Sequence, residues 1–128
     1  MKVLLAIKEE YASKIFEGTK KYEFRKSIFK DQRVSTIVVY VSSPVQQVVG
    51  EFEIESILKD EPQNLWNLTH EYSGISKDFF DSYFKNKDSA YAIKIKSARK
   101  YQKPKNLKQD FNIGFAPQSY VYLEQREN

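Results

Sequence analysis

The sequence predicts an α+β fold, because runs that alternate apolar and polar residues are interspersed with runs of helical spacing, without internal repeats or low-complexity tracts. Tyr91-Ala92-Ile93-Lys94-Ile95-Lys96 shows the strand pattern, and Phe79, Phe80, Tyr83 and Phe84 show the helical one. The unbroken apolar and aromatic run Ile37 to Val41 adds the signature of a strand buried inside a sheet.

In order, Lys2 to Ile7 reads as a strand and Glu9 to Glu17 as a helix carrying the stripe Tyr11, Ala12, Ile15 and Phe16. Gly18 stands where a left-handed C-terminal cap belongs, so the helix should stop there. Lys20 to Lys26 follows as a strand with Tyr22 and Phe24 on one face and Lys21, Glu23 and Arg25 on the other. Val34 to Val41 is the central strand, ended by the turn Ser42-Ser43-Pro44. Val48 to Leu58 comes next, with Phe52 and Ile54 inward and Glu51, Glu53 and Glu55 outward; Gly50 marks a bulge or a close backbone approach. Glu61 to Tyr72, with the stripe Leu65, Leu68 and Tyr72, and Ser76 to Phe84 read as two helices joined by Ser73-Gly74-Ile75, Ser76 being the N-cap. After the strand from Tyr91, the residues Phe111, Ile113 and Phe115 should return the chain to the core, and Tyr120 to Leu123 should form a last strand. Tyr22, Phe24, Ile37, Val39, Phe52, Ile54, Ile93, Ile95 and Val121 are expected to share one core.

Length fits one domain over residues 1–128. With no cysteine and the lone His70, neither disulfides nor a metal site is expected, and no cofactor is implied. There is no signal-length apolar run and no segment approaching the roughly twenty apolar residues of a membrane span, so a cytoplasmic location away from membranes is expected. The net charge of +4 is unevenly distributed: residues 1–33 carry 9 basic and 5 acidic groups, 34–93 carry 4 and 9, and 94–128 carry 8 and 3. Two basic ends suit phosphate, although an ordinary solvated surface gives the same count.

The sharpest candidate site is Gly18-Thr19-Lys20-Lys21-Tyr22-Glu23-Phe24-Arg25. Lys20 at the strand mouth has a stem long enough to swing toward Glu23 and Arg25, so the three could converge on one ligand, with Lys21 beside them. The simpler alternative is a structural Glu23–Arg25 ion pair. A second cluster, Lys94, Lys96, Arg99, Lys100 and Tyr101, interleaves cations with a ring on which a base can stack. The stripe Glu51, Glu53 and Glu55 reads as structural, facing lysines of the 91–96 strand. The helix pair resembles the helix-turn-helix of a transcription regulator, but Asp78 and Asp81 early in its second helix oppose approach to phosphate.

As G-x-K-x-x-E-x-R, the Gly18 to Arg25 stretch resembles the ASCH family of the PUA-like superfold. Leu4-Leu5-Ala6-Ile7-Lys8, Tyr40-Val41-Ser42-Ser43-Pro44, Val49-Gly50-Glu51-Phe52 and Phe115-Ala116-Pro117-Gln118-Ser119 occur in the order such proteins show. The resemblance implies a small mixed β-barrel with flanking helices, a cleft around the motif, and binding of RNA or a modified nucleotide as partner. It also implies that Ser42, Ser43, Gln118 and Ser119 border the cleft, where plain turn chemistry is the alternative. Some members resemble amidohydrolases on nucleosides and others ribonucleases, so hydrolysis is an alternative to binding alone. For an enzyme, the candidate catalytic residues are Lys20, Glu23 and Glu71. The amidohydrolase pattern has a threonine three residues after the lysine; Glu23 stands there instead, which removes that nucleophile.

Overall fold

The computed structural model describes residues 1–123; the last five residues of the expected 1–128 domain lie outside the described residues. The elements are β1 (Lys2–Ile7), α1 (Glu9–Glu17), β2 (Tyr22–Arg25), β3 (Thr36–Val41), β4 (Gln47–Asp60), α2 (Pro62–Thr69), a 3-10 turn (His70–Tyr72), α3 (Lys77–Tyr83), β5 (Ala90–Lys105), α4 (Leu107–Phe111) and β6 (Tyr120–Leu123). Together they make a mixed α+β fold on one six-stranded sheet of order β2-β5-β4-β3-β1-β6. β1 and β3 run parallel, and the other neighbours pair antiparallel.

This sheet is open. No ladder joins β2 to β6 among the described residues, so the barrel implied by the family resemblance is not closed by backbone pairing. Both edge strands are only four residues long, which leaves few backbone groups to pair across the seam. Curvature comes from the long β4–β5 ladder, whose register shifts between Val48 and Gly50 and again around Ile54. Such irregularities bend strands and increase their twist.

The core divides between faces of the sheet rather than forming one cluster. Val3, Leu5 and Ile7 of β1 and Ile37, Val39 and Val41 of β3 pack with Phe52 and Ile93 against Ala12 and Ile15 of α1; Ile54 and Ile95 lie half-buried at the margin. The alternate residues Leu4, Val38 and Tyr40 turn to the opposite face, where Val48, Leu107, Phe111 and Val121 join them. Two-sided covering is why β1 and β3 are apolar without alternation. Phe24 belongs to a third cluster, with Tyr22, beneath α2 and α3 around Leu65, Phe80 and Phe84.

Several boundaries depart from the sequence reading. β2 starts at Tyr22 rather than Lys20, because the Lys20 and Lys21 amides donate to Lys14 O and Tyr72 O outside the ladder. α2 opens with Pro62, a residue suited to the first helical turn, and gives way at Thr69 to the 3-10 turn. Only Leu65 of its expected stripe is buried; Leu68 and Tyr72 face solvent. β5 continues to Lys105, and the unexpected α4 follows, capped by the Asn106 side chain accepting from the Lys108 and Gln109 amides. Phe115 does not return to the core, being 80% exposed.

Gly50 is a close-approach position. A Cβ there would fall 2.6 Å from Arg99 O and 2.6 Å from the Phe16 ring, and the carbonyl belongs to the paired strand. Gly50→Ala should therefore destabilise the fold by about 1–3 kcal/mol. Urea denaturation checks this: the midpoint should fall with an unchanged m-value, and an unmoved midpoint would refute the close approach.

Candidate functional site

The local sequence after α1 sends Lys20 inward. Gly18 adopts φ 88, closing the helix, and the amides of Thr19 and Lys20 both turn back to Lys14 O at 3.1 Å. Lys20 is 2% exposed, and its ammonium donates to Ser73 O at 2.6 Å. That ammonium also lies 4.9 Å from the centroid of the Phe24 ring and 5.4 Å from that of Tyr11, where the ring faces attract a cation. Its stem rests on Gly74, at which a Cβ would come within 2.6 Å of Lys20 Cβ and Cγ.

Glu23 and Arg25 stand on β2 nearby. Glu23 is buried, and its Oε2 accepts from Arg25 Nη1 at 3.3 Å. The same Nη1 donates to Ala6 O at 3.4 Å, while Nη2 donates to Ser119 O at 3.3 Å. Lys20, Glu23 and Arg25 line a cavity of about 160 Å³ together with Lys8, Tyr11, Phe79 and Tyr83. Burial depresses Lys20 to about 8, with Lys14 acting the same way and Glu23 opposing. The Glu23 carboxyl is pushed above its ordinary range by burial, against the pull of Lys20 and Arg25. An amine and a carboxyl displaced toward neutrality can exchange protons with a ligand more readily than their exposed counterparts.

The other expected site residues are placed as follows. Ser119 reaches the cavity wall through its carbonyl on Arg25, whereas Gln118 is exposed. Lys21 points outward, with its ammonium 4.2 Å from the centroid of the Tyr72 ring. Ser42 and Ser43 follow β3 and do not line the cavity; neither does the exposed Glu71. Lys94 pairs with Glu55 at 2.8 Å, as the structural reading of the acidic stripe expected, and Lys96 is exposed. Arg99 pairs with Glu51, to which the Tyr101 hydroxyl also donates at 2.8 Å. Burial and the hydrogen bond to Glu51 raise the Tyr101 phenol well above its ordinary value. Lys100 lines a separate cavity of about 290 Å³ beside α1.

Lys8, Tyr11, Ile75, Phe79 and Tyr83 contribute walls that the sequence reading assigned elsewhere. Helical spacing marked Tyr11, Phe79 and Tyr83 as apolar stripe residues; their pairwise ring contacts instead surround an opening. Among the described residues, no three His, Cys, Asp or Glu side chains form a group able to hold a metal ion. No helix among them is long and apolar enough to cross a membrane.

The ASCH domain pattern matches residues 5–99, which contain the whole Gly18 to Arg25 stretch. The chain belongs to the ASCH domain family. Over 122 residues, 95% of its length, this ASCH domain is 31% identical to the large ribosomal subunit protein uL22 of Ureaplasma parvum, and it spans 39% of that protein. It is 27% identical over 127 residues to an ASCH domain-containing ribonuclease of Zymomonas mobilis, covering 97% of this chain and 85% of that one. The crystal structure of ASCH from Zymomonas mobilis matches it with a TM-score of 0.89 at 25% identity, over 97% of this chain and 88% of that chain.

Burial of Lys20 sets a pH dependence. With its folded value near 8 and its ordinary value at 10.5, the folded ASCH domain binds fewer protons than the unfolded chain between those limits. Stability therefore rises with pH through this window, and below it the buried charge costs at most roughly 3 kcal/mol. Unfolding free energies of the wild type and Lys20→Met, measured from pH 7 to 10.5, test this. The wild type should gain on the variant as pH rises, and a constant difference would show that Lys20 is not desolvated.

Proposed function

We propose that this ASCH domain binds RNA and accepts one unstacked nucleotide in the cavity bounded by Lys20, Glu23 and Arg25. The observation that carries this reading is that a buried amine and a buried carboxyl group, Lys20 and Glu23, both line one aromatic-walled cavity. Recognition of single-stranded RNA uses such surfaces: rings stack on a splayed base, and buried donors and acceptors meet its edge. Lys8 and Lys26 add charge at the rim, their ammonium groups 5.7 Å from the centroid of Phe79 and 4.6 Å from that of Tyr83. A role in RNA chemistry also accords with the ribonuclease relative.

A second reading, cleavage of the bound RNA, is favoured by the lowering of Lys20 to about 8 beside Glu23. In it, Glu23 takes the proton of a 2′-hydroxyl as that oxygen attacks phosphorus, and the bond to the 5′-oxygen breaks. Lys20 stabilises the charge that develops on the phosphate and supplies the proton to the leaving oxygen. The products are a 2′,3′-cyclic phosphate and a 5′-hydroxyl.

Fluorescence anisotropy with a labelled single-stranded RNA at increasing salt tests binding. Log affinity should fall linearly with log salt, and Lys20→Met should weaken binding about tenfold, corresponding to about 1.4 kcal/mol. Absence of binding at low salt would overturn the proposal. Glu23→Gln separates the two readings: retained binding with loss of cyclic-phosphate product supports cleavage, and a wild type that yields no such product leaves a binding module.

A further inference from the structure

Among the described residues Lys20 is the one buried lysine, and its surroundings hold a positive charge poorly. No carboxylate there makes an ion pair with it. An ammonium has three N–H donors, and Ser73 O is the one acceptor that these residues offer. The rings of Tyr11 and Phe24 attract the cation but replace none of the lost hydrogen bonds. Burial outweighs the favourable charge of Glu23, and Lys14 adds to it, which is why the group falls to about 8. After losing one proton the amine still has an N–H for Ser73 O, so the bond that places the nitrogen survives while a lone pair is freed. Lys20, Tyr11, Phe24 and Glu23 all line the same cavity of about 160 Å³, well below the several hundred Å³ of a drug-sized site.

Going beyond RNA binding, we infer that Lys20 is the nucleophile of a site for small aldehydes, which it captures as an imine while Glu23 carries the protons. A lysine desolvated among apolar groups is an activated nucleophile, and imine formation needs an acid to release water. Glu23 suits that task, because burial pushes its carboxyl above the ordinary range and so favours the protonated form. The nitrogen lone pair attacks the carbonyl carbon as the C=O electron pair moves to oxygen. Glu23 protonates that oxygen and recovers a proton from nitrogen, which gives a neutral carbinolamine. It then protonates the hydroxyl, the C–O bond breaks, water leaves and the nitrogen lone pair completes the C=N bond. Amine, aldehyde and carboxylic acid thus become a protonated imine, water and a carboxylate, with no oxidant or reductant. The protonated imine retains one N–H for Ser73 O, and the Glu23 carboxylate balances its charge.

The probe is benzaldehyde with excess sodium cyanoborohydride, which reduces each imine to a stable secondary amine, and peptide mass spectrometry reads the label at every lysine. Lys20 of the wild type should be labelled at least tenfold faster than the exposed Lys87 and Lys103. At about pH 7 the uncharged fraction is roughly one in ten for a group at about 8, against roughly one in 2,500 for an ordinary lysine. Lower basicity and confinement take back part of that margin. Acetic anhydride needs a free amine but no loss of water, and it should favour Lys20 as well. Glu23→Gln should slow aldehyde labelling of Lys20 about tenfold, leave its acetylation undiminished and leave Lys87 unchanged toward both reagents. Aldehyde labelling of Lys20 no faster than that of Lys87 and Lys103 in the folded wild type would overturn the inference, and this comparison needs no variant. An undiminished aldehyde rate in Glu23→Gln would overturn it too. RNA is absent from these measurements, so neither result bears on RNA binding.

Discussion

An ammonium group taken out of water must find acceptors or give up its proton, and the burial of Lys20 is the constraint on which this end of the molecule depends. Three donors from the α1–β2 region meet three consecutive carbonyls between α2 and α3. The Lys21 amide takes Tyr72 O at 2.8 Å, Lys20 Nζ takes Ser73 O at 2.6 Å, and Lys14 Nζ takes Gly74 O at 3.1 Å. Gly74 has φ 69 and no side chain, which gives the Lys20 stem its space. The connection between the helices is thus held by the residue whose charged end lines the cavity. Position of the helix pair and chemistry of the site are consequences of one buried side chain.

Arg25 makes the second link. A sheet that curves without closing leaves a seam, and here the planar guanidinium crosses it from β2 to Ala6 O in β1 and to Ser119 O just before β6. Its fixed fork suits two carbonyls presented by different strands. Glu23 accepts from the same group, so the carboxylate is held at the seam as well. Ala6, Ile7, Glu23 and Arg25 all line the cavity, which therefore occupies the place where backbone pairing fails. In a closed ladder the same backbone groups would be consumed by hydrogen bonds between strands, and that space would be lost.

Period and cap chemistry made the strands β1, β3 and β6 and the helix α1 legible, since each depends on local pattern and on residues such as Gly18. The long reach of β5 was not legible: beyond Lys96 it loses alternation, and its continuation depends on pairing with β4, with Gly50 opposite Lys100 and Val48 opposite Lys105. At the site, the convergence of Lys20, Glu23 and Arg25 was readable from their spacing near a strand mouth. The walls were not. Tyr11 and Phe79 lie on separate helices, and nothing local shows that their rings meet 5.5 Å apart over a cavity. Tyr101, whose ring suggested a stacking platform, also donates its hydroxyl to Glu51, a contact that no local pattern shows.

Counting charges along the chain does not show which cations have a carboxylate beside them. On the C-terminal basic stretch, Lys94 is matched by Glu55 and Arg99 by Glu51, while Glu51 draws Lys2 from the other basic end. A carboxylate at these distances largely cancels a cation's field beyond a Debye length of about 8 Å. Lys8 and Lys26 differ, because their ammonium groups lie against the rings of Phe79 and Tyr83, which line the cavity. An aromatic face attracts and orients a cation but carries no net charge, so the positive charge remains available to a phosphate. In the proposed RNA complex the cavity rim therefore adds positive charge close to the bound nucleotide, and the rings that orient those cations are the ones offered to the base.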